Sequence, residues 1–172
     1  MSVVDSIDHP GPQAICVWLI DDQRLAREGL SRVLPAISPS LDVRAIDNWT
    51  VHVRDADDRP DVAVLNVGSA SLMDPAMTGQ VMALLASTPE VPLLVVSSQE
   101  GLGEVQSTLA LGARGFFPSS LSLDLLAAAI RLVHAGGVFV PPKAALAFAK
   151  ALPAPALNHP QGNARNGSVG PS

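Results

Sequence analysis

A chain of 172 residues holds one ordinary domain and a modest appendage, and 48% hydrophobic against 16% charged residues makes it apolar for a soluble domain. Eleven basic against sixteen acidic residues, a net charge of -5, speak against a nucleic-acid surface, and the single Cys16 excludes an internal disulfide or a Cys-rich zinc site. No apolar run reaches the roughly 18 residues of a membrane span. Residues 1–14 carry Asp5 and Asp8 without a basic segment, so they do not read as a signal peptide. The expectation is a cytoplasmic domain with no membrane and no nucleic-acid partner.

In chain order, residues 14–20 (AICVWLI) form an apolar run that stops at Asp21-Asp22, as a strand buried on both faces does. Residues 23–34 place Leu25, Ala26, Leu30, Val33 and Leu34 at helical spacing, and Pro35 is expected to stop that helix. Residues 41–46 alternate as a short strand, and Asn48 stands where it would cap a helix over 49–54. A polar loop at 55–60 leads to a second buried strand at 62–65, ending at Asn66. Pro75 begins a helix expected to turn Met77, Val81, Met82, Leu84 and Leu85 inward. Residues 93–96 form the next strand, closed by Ser97-Ser98. Residues 104–111 read as a helix ended by Gly112, 114–117 as a strand, and 123–135 as a helix capped by Ser122. Trp18 is expected in the core and Trp49 at a half-exposed position.

Five strands alternating with five helices imply an α/β fold, a doubly wound parallel sheet with right-handed crossovers. The expected organisation is a flexible leader at 1–13, one domain at 14–142, a marginal linker helix at 143–152, and a disordered tail or truncated linker at 153–172, where Pro, Gly and Asn replace large apolar residues. Gly101-Leu-Gly103, flanked by Glu100 and Glu104 and lacking a third glycine, reads as a loop and not as a phosphate cradle. His9, His52, His134 and His159 show no ligand spacing.

An open parallel sheet presents its working groups at the carboxyl ends of its strands. Those ends are Asp21-Asp22, Asn66, Ser97-Ser98 and Phe117-Pro118-Ser119. The stretch LIDDQRLAREGL (19–30) resembles the first strand and helix of a response-regulator receiver domain. GARGFFPSSLS (112–122) and AGGVFVPP (135–142) resemble the end of a receiver of the LuxR/NarL class of transcriptional regulators. The resemblance implies a flavodoxin-like (βα)5 fold and a place in two-component signalling. In that family an acidic pair holds Mg²⁺, and an aspartate ending the third strand accepts a phosphoryl group from a histidine kinase. A Ser or Thr after the fourth strand and a Lys after the fifth then grip that group. Asp21 and Asp22 match the acidic pair, Ser97 the hydroxyl and Phe116 the switch aromatic.

Two positions depart. Asn66 stands at the nucleophile and Ser119 at the lysine. An amide nitrogen has its lone pair delocalised into the carbonyl and does not attack phosphorus, and Ser119 supplies no cation. Losing one carboxylate and one ammonium together leaves the net charge of the pocket unchanged. Residues 68–76 (GSASLMDPA) also depart from the family's Pro-Gly-Met-Asp-Gly-like loop, which removes support for a backbone metal ligand near Gly68.

These residues read as a degenerate phosphorylation site with no catalytic residue and no cofactor beyond weak Mg²⁺ at Asp21 and Asp22. Asn66 is expected to face Ser119 in a hydrogen-bonded, metal-free pocket. The expected function is an atypical receiver that works by phosphorylation-independent contact with a protein partner or with itself. The family's face for this is the fourth helix, fifth strand and fifth helix, with Leu121, Leu123 and Arg131 as candidate contacts and Leu125, Leu126, Ile130 and Val133 turned inward. One rival is the receiver part of a DNA-binding regulator whose helix-turn-helix domain lies outside this chain. The other is a small α/β enzyme or flavin carrier, disfavoured because Asp21-Asp22 would repel phosphate at the first strand end.

Overall fold

In the structure, a computed structural model, residues 13–53, 58–152 and 170 are described. Most of the expected leader, residue 54 at the end of the second helix, and nearly all of the tail lie outside the described residues. The elements run β1 (Ile15–Asp21), α1 (Arg24–Ile37), β2 (Leu41–Ile46), α2 (Trp49–His52), β3 (Val62–Gly68), α3 (Pro75–Ser87), β4 (Leu93–Ser97), α4 (Leu102–Ala110), β5 (Gly115–Pro118), α5 (Leu123–His134) and α6 (Pro142–Ala151). All strand pairs are parallel, in the order β2-β1-β3-β4-β5. This is the doubly wound, flavodoxin-like sheet that the alternation of elements implies.

Successive strand residues point to opposite faces, so an all-apolar strand builds two cores at once. On one face Val17, Leu19, Val62, Val64, Leu94 and Phe117 pack with Leu34 of α1 and Leu126, Ile130 and Val133 of α5. On the other, Trp18, Ala63, Leu65, Val95 and Phe116 pack with Val81 and Leu84 of α3 and Val105 of α4. Each fully buried large side chain contributes about 1.5–3 kcal/mol of transfer free energy, which aliphatic residues supply here in place of scarce aromatics. Trp18 is fully buried, as expected, and Trp49 is half-buried against the same cluster.

Several local expectations need correction. Helix α1 continues through Pro35 to Ile37, because a proline in the last turn forfeits one bond while the Ser38 N–H still closes on the Leu34 carbonyl. Leu25 is 88% exposed: it sits in the first turn of α1, at the carboxyl edge of the sheet, and Leu34 is the residue of that helix that is buried. Strand β3 does not end at Asn66; it runs to Gly68, and its register with β4 shifts between these two residues. Gly68 takes a positive φ of 57°, which a side chain would strain. Met82 is exposed, because α3 turns Val81 and Leu84 to the sheet and Met82 lies across the helix from them.

Gly101-Leu-Gly103 is not a loop: Gly101 precedes the first turn of α4, and Leu102 and Gly103 lie inside it. A β-carbon on Gly103 would lie 3.4 Å from the Met73 sulfur. Leu125 is exposed rather than inward, whereas Leu121 and Leu123 are half-buried against the core. The apolar arc of α5 is centred on Leu126, Ile130 and Val133, and Leu125 falls beside it. Helix α6 packs against the domain, with Ala144 buried and Phe148 partly buried on the α4 side.

Candidate functional site

Strand register decides which side chains meet at the carboxyl edge of the sheet. Asp21 of β1 pairs with Asn66 of β3, Gly68 with Ser97 of β4, and Ser97 with Pro118 of β5. The positions named from the sequence therefore line one edge, although Ser119 is exposed just beyond β5, and Phe116 is wholly buried in the core.

Asp21 is 2% exposed and each of its carboxylate oxygens accepts a hydrogen bond. Its Oδ1 accepts from the Gln23 N–H at 2.8 Å, and its Oδ2 accepts from Asn66 Nδ2 at 2.6 Å. Asn66 Oδ1 in turn accepts from the Gly68 N–H at 3.2 Å. The amide orientation is forced by its partners: a carboxylate only accepts and a backbone N–H only donates. Arg27 Nη1 donates to the Asp21 carbonyl at 2.5 Å and so holds the strand end. Position 66 thus presents an N–H donor to the buried Asp21 carboxylate, where the resemblance expects a second carboxylate. A bond to a charged group is worth about 1.5–3 kcal/mol.

Ser119 does not face Asn66. Among the described residues it bonds through its backbone, N–H to the Ser97 carbonyl at 2.8 Å, while both polar ends of Asn66 are taken by Asp21 and Gly68. The Ser97 hydroxyl is fully buried, accepts from the Gln99 N–H at 3.0 Å and lies 3.5 Å from the Gly68 carbonyl. That is a turn-closing hydroxyl. Gly68 also accepts from the Ser98 N–H at 2.8 Å and from Ser98 Oγ at 3.0 Å, and Gln99 Nε2 donates to the Ser69 carbonyl at 3.2 Å.

Glu104 completes this set of cross-links. It is buried at the start of α4; Oε1 accepts from Ser71 Oγ at 2.5 Å and Oε2 from the Leu72 N–H at 2.6 Å. The loop after β3 is thereby tied to β4 and α4. Glu104 was not anticipated as a site residue. The signal available was a glutamate at the third helical position, where it ordinarily reaches back to its own cap; here it reaches across to another loop.

Asp22 is exposed and opens onto a cleft of about 370 Å³ between β1, β3, α2 and α3. Its wall at α2 is set by Asn48, whose Oδ1 accepts from the Thr50 N–H at 3.1 Å and Thr50 Oγ1 at 2.6 Å and so fixes the first turn. Among the described residues no group of three or more His, Cys, Asp or Glu side chains is placed to hold a metal ion, and no helix is long and apolar enough to cross a membrane.

On α5, Leu123 and Leu121 pack on the core and Arg131 donates from Nη1 to Ser38 Oγ at 2.7 Å. Leu125 and Leu132, seven residues apart and so on one side of the helix, are 38% and 44% exposed.

No family model matches the chain. Among curated proteins, the transcriptional regulatory protein DegU of Brevibacillus brevis is 28% identical over 131 residues, covering 75% of this chain and 54% of that protein. The response regulator MprA of Mycobacterium bovis is 32% identical over 120 residues, covering 69% of this chain and 50% of that protein. The chain thus spans about half the length of these relatives. Among solved structures, the signal receiver domain of the putative response regulator NarL of Mycobacterium tuberculosis is 28% identical, with a TM-score of 0.55, over 73% of this chain and 99% of that one. A parallel sheet of order β2-β1-β3-β4-β5, an acidic pair ending β1 and these relatives agree: the chain belongs to the response-regulator family, and its folded core is a receiver domain.

Proposed function

We propose that this receiver works outside the phosphorylation cycle and passes its signal by contact with a protein partner or a second copy of itself. The observation that carries this reading is the 2.6 Å bond from Asn66 Nδ2 to the Asp21 carboxylate. In a phosphorylated receiver position 66 supplies a nucleophilic oxygen and the acidic pair supplies ligands to Mg²⁺. Here the amide N–H satisfies Asp21 directly, so the carboxylate carries its compensating donor within the fold. A cation entering the site would meet that N–H, which repels it, and would have only the exposed Asp22 as a free carboxylate. The donor set fits Mg²⁺ poorly, and no step is routed through the metal. The loops that would close on a phosphoryl group are instead bonded to one another through Ser97, Ser98, Gln99 and Glu104.

Output through the α4-β5-α5 side is supported by the apolar stripe Leu125–Leu132, and less by Leu121 and Leu123, which the core already uses. Because the curated relatives are about twice as long and include a transcriptional regulatory protein, a longer protein carrying this receiver would act in transcription. Size-exclusion chromatography with light scattering, run with and without beryllofluoride and Mg²⁺, tests the reading. The same oligomeric state in both conditions is expected; a mass shift driven by the phosphate mimic overturns it.

A further inference from the structure

We infer that residues 138–151 form a detachable strap over β5 and α4, and that a second copy of the chain associates with the first by exchanging this strap. Its course defines it. Helix α5 lies on one face of the sheet and α6 on the other, beside α4, so residues 138–140 cross the outer edge of β5 between them. Phe139 packs with the α5-side cluster and Val140 with the α4-side cluster. At the crossing, the Phe139 N–H donates to the Arg114 carbonyl at 3.0 Å and the Phe116 N–H donates to the Phe139 carbonyl at 3.1 Å, a parallel pairing with the edge strand. Gly115 makes room for it: a β-carbon there would lie 3.1 Å from the Phe139 β-carbon and 3.2 Å from its carbonyl oxygen. The Phe139 ring packs on Phe117 with centroids 5.4 Å apart, and Ala144 is buried and Phe148 partly buried in the cluster that holds Val105 of α4.

This seat is apolar and grips lightly. Two backbone hydrogen bonds hold the crossing, and among the described residues no side chain of 138–151 makes a hydrogen bond or ion pair with the domain. Helix α6 has no side-chain cap, and a cavity of about 230 Å³ remains beside its first turn, between Val105, Pro118, Leu121 and Ala144. A segment with few buried contacts opens at low free-energy cost. Opening leaves the Phe116 N–H and Arg114 carbonyl of an edge strand unpaired, a seat already shaped for an identical segment. The closed and exchanged arrangements share these contacts and differ at the hinge. There Gly136 takes a φ of 90°, and a β-carbon on Gly137 would lie 2.5 Å from Leu132 Cδ1 and 3.0 Å from the Leu132 carbonyl oxygen. The fold-back needs glycine at both positions, and an extended hinge does not. Side chains at the hinge therefore penalise the closed arrangement alone.

The inference deepens the reading that this chain signals by contact with a second copy of itself, and it rests on that reading. Size-exclusion chromatography with light scattering follows Gly136→Ala/Gly137→Ala in the whole chain. A dimer is expected, with a dissociation constant at least about tenfold below that of the natural chain. Adding Ala144→Asp/Phe148→Asp, which spoils the seat, is expected to abolish the dimer while circular dichroism stays that of a folded domain. Adding Leu125→Ser instead is expected to leave the dimer intact, because the exposed α5 stripe takes no part in the exchange. The natural chain, refolded from urea at high concentration, is expected to give a dimer fraction that dilute refolding does not. A folded hinge variant that stays monomeric, a dimer that survives the spoiled seat, or a dimer lost with Leu125→Ser overturns the inference. Should the hinge variant not fold, absence of the dimer fraction after concentrated refolding overturns it. Monomers throughout, with no response to beryllofluoride and Mg²⁺, defeat the exchange alone; a mass shift of the natural chain driven by the phosphate mimic defeats the reading beneath it.

Discussion

Along one edge of the sheet, two neighbouring regions use polar side chains in opposite ways. Between β3 and β4, Ser97, Ser98, Gln99 and Glu104 spend polar atoms on other parts of the chain, and Asn66 ties β3 to Asp21 of β1. Between β1 and β3, Asp22 and Asp47 stand over an open cleft with their carboxylates uncommitted among the described residues. Of the first group, Ser97 and Glu104 are buried, and satisfied buried polar groups rigidify and define one state, whereas the carboxylates at the cleft are exposed. The difference places the internally bonded polar groups on the β3–β4 side and leaves the carboxylates at the β1–β3 cleft without a partner among the described residues.

The comparison breaks first at Glu104. Glu104→Ala removes both acceptors of the loop after β3 and leaves the buried Leu72 N–H unpaired, so urea unfolding should show a loss of about 2–4 kcal/mol. An unchanged midpoint would mean that the loop is not held there. Asn66→Asp comes next. It replaces a donor 2.6 Å from Asp21 by a second carboxylate, and like charges at that distance cost about 1–3 kcal/mol. Added Mg²⁺ should recover most of that loss in the variant and leave the natural chain's stability unmoved.

The cleft side should respond weakly. Asp22→Asn/Asp47→Asn should change stability by less than about 0.5 kcal/mol, since both side chains are exposed and neither is bonded among the described residues. A larger loss would mean that both sides of the edge are scaffold.

The smallest effect is at Cys16, at the opposite end of β1. Burial raises its thiol pKa; Arg44 opposes this, and nearby carboxylates, Asp42 first, add to it. A thiol raised in the folded state ionises more readily when unfolded, so its contribution to stability is complete below the ordinary thiol pKa and declines above it. Labelling by a disulfide reagent at pH 8 should therefore be slower in buffer than in urea; equal rates would refute the effect of burial.

The sheet was legible because short unbroken apolar runs that end in polar residues, with helical stretches between them, suit strands buried on both faces and little else. Asp21, Asp22, Asn66 and Ser97 fell on its edge because strand ends are marked by that change of polarity. Side-chain direction was less legible. Leu125 and Leu123 are both apolar residues at the start of α5, and which of them faces the core depends on how the helix is rotated against the sheet. Pro35 misled because a proline in the last helical turn costs little. The pairing of Asn66 with Asp21 follows from strand register, and the reach of Glu104 across 33 residues to Ser71 follows from tertiary packing; neither leaves a local signal in the sequence.

The central claim is that the Asn66 amide has taken over the partnership with Asp21 and closed the site to phosphoryl transfer. Intact-mass measurement after incubation with acetyl phosphate and Mg²⁺ tests it most directly. The chain should keep its mass unchanged; stoichiometric gain of one phosphoryl group by the natural chain would contradict the account.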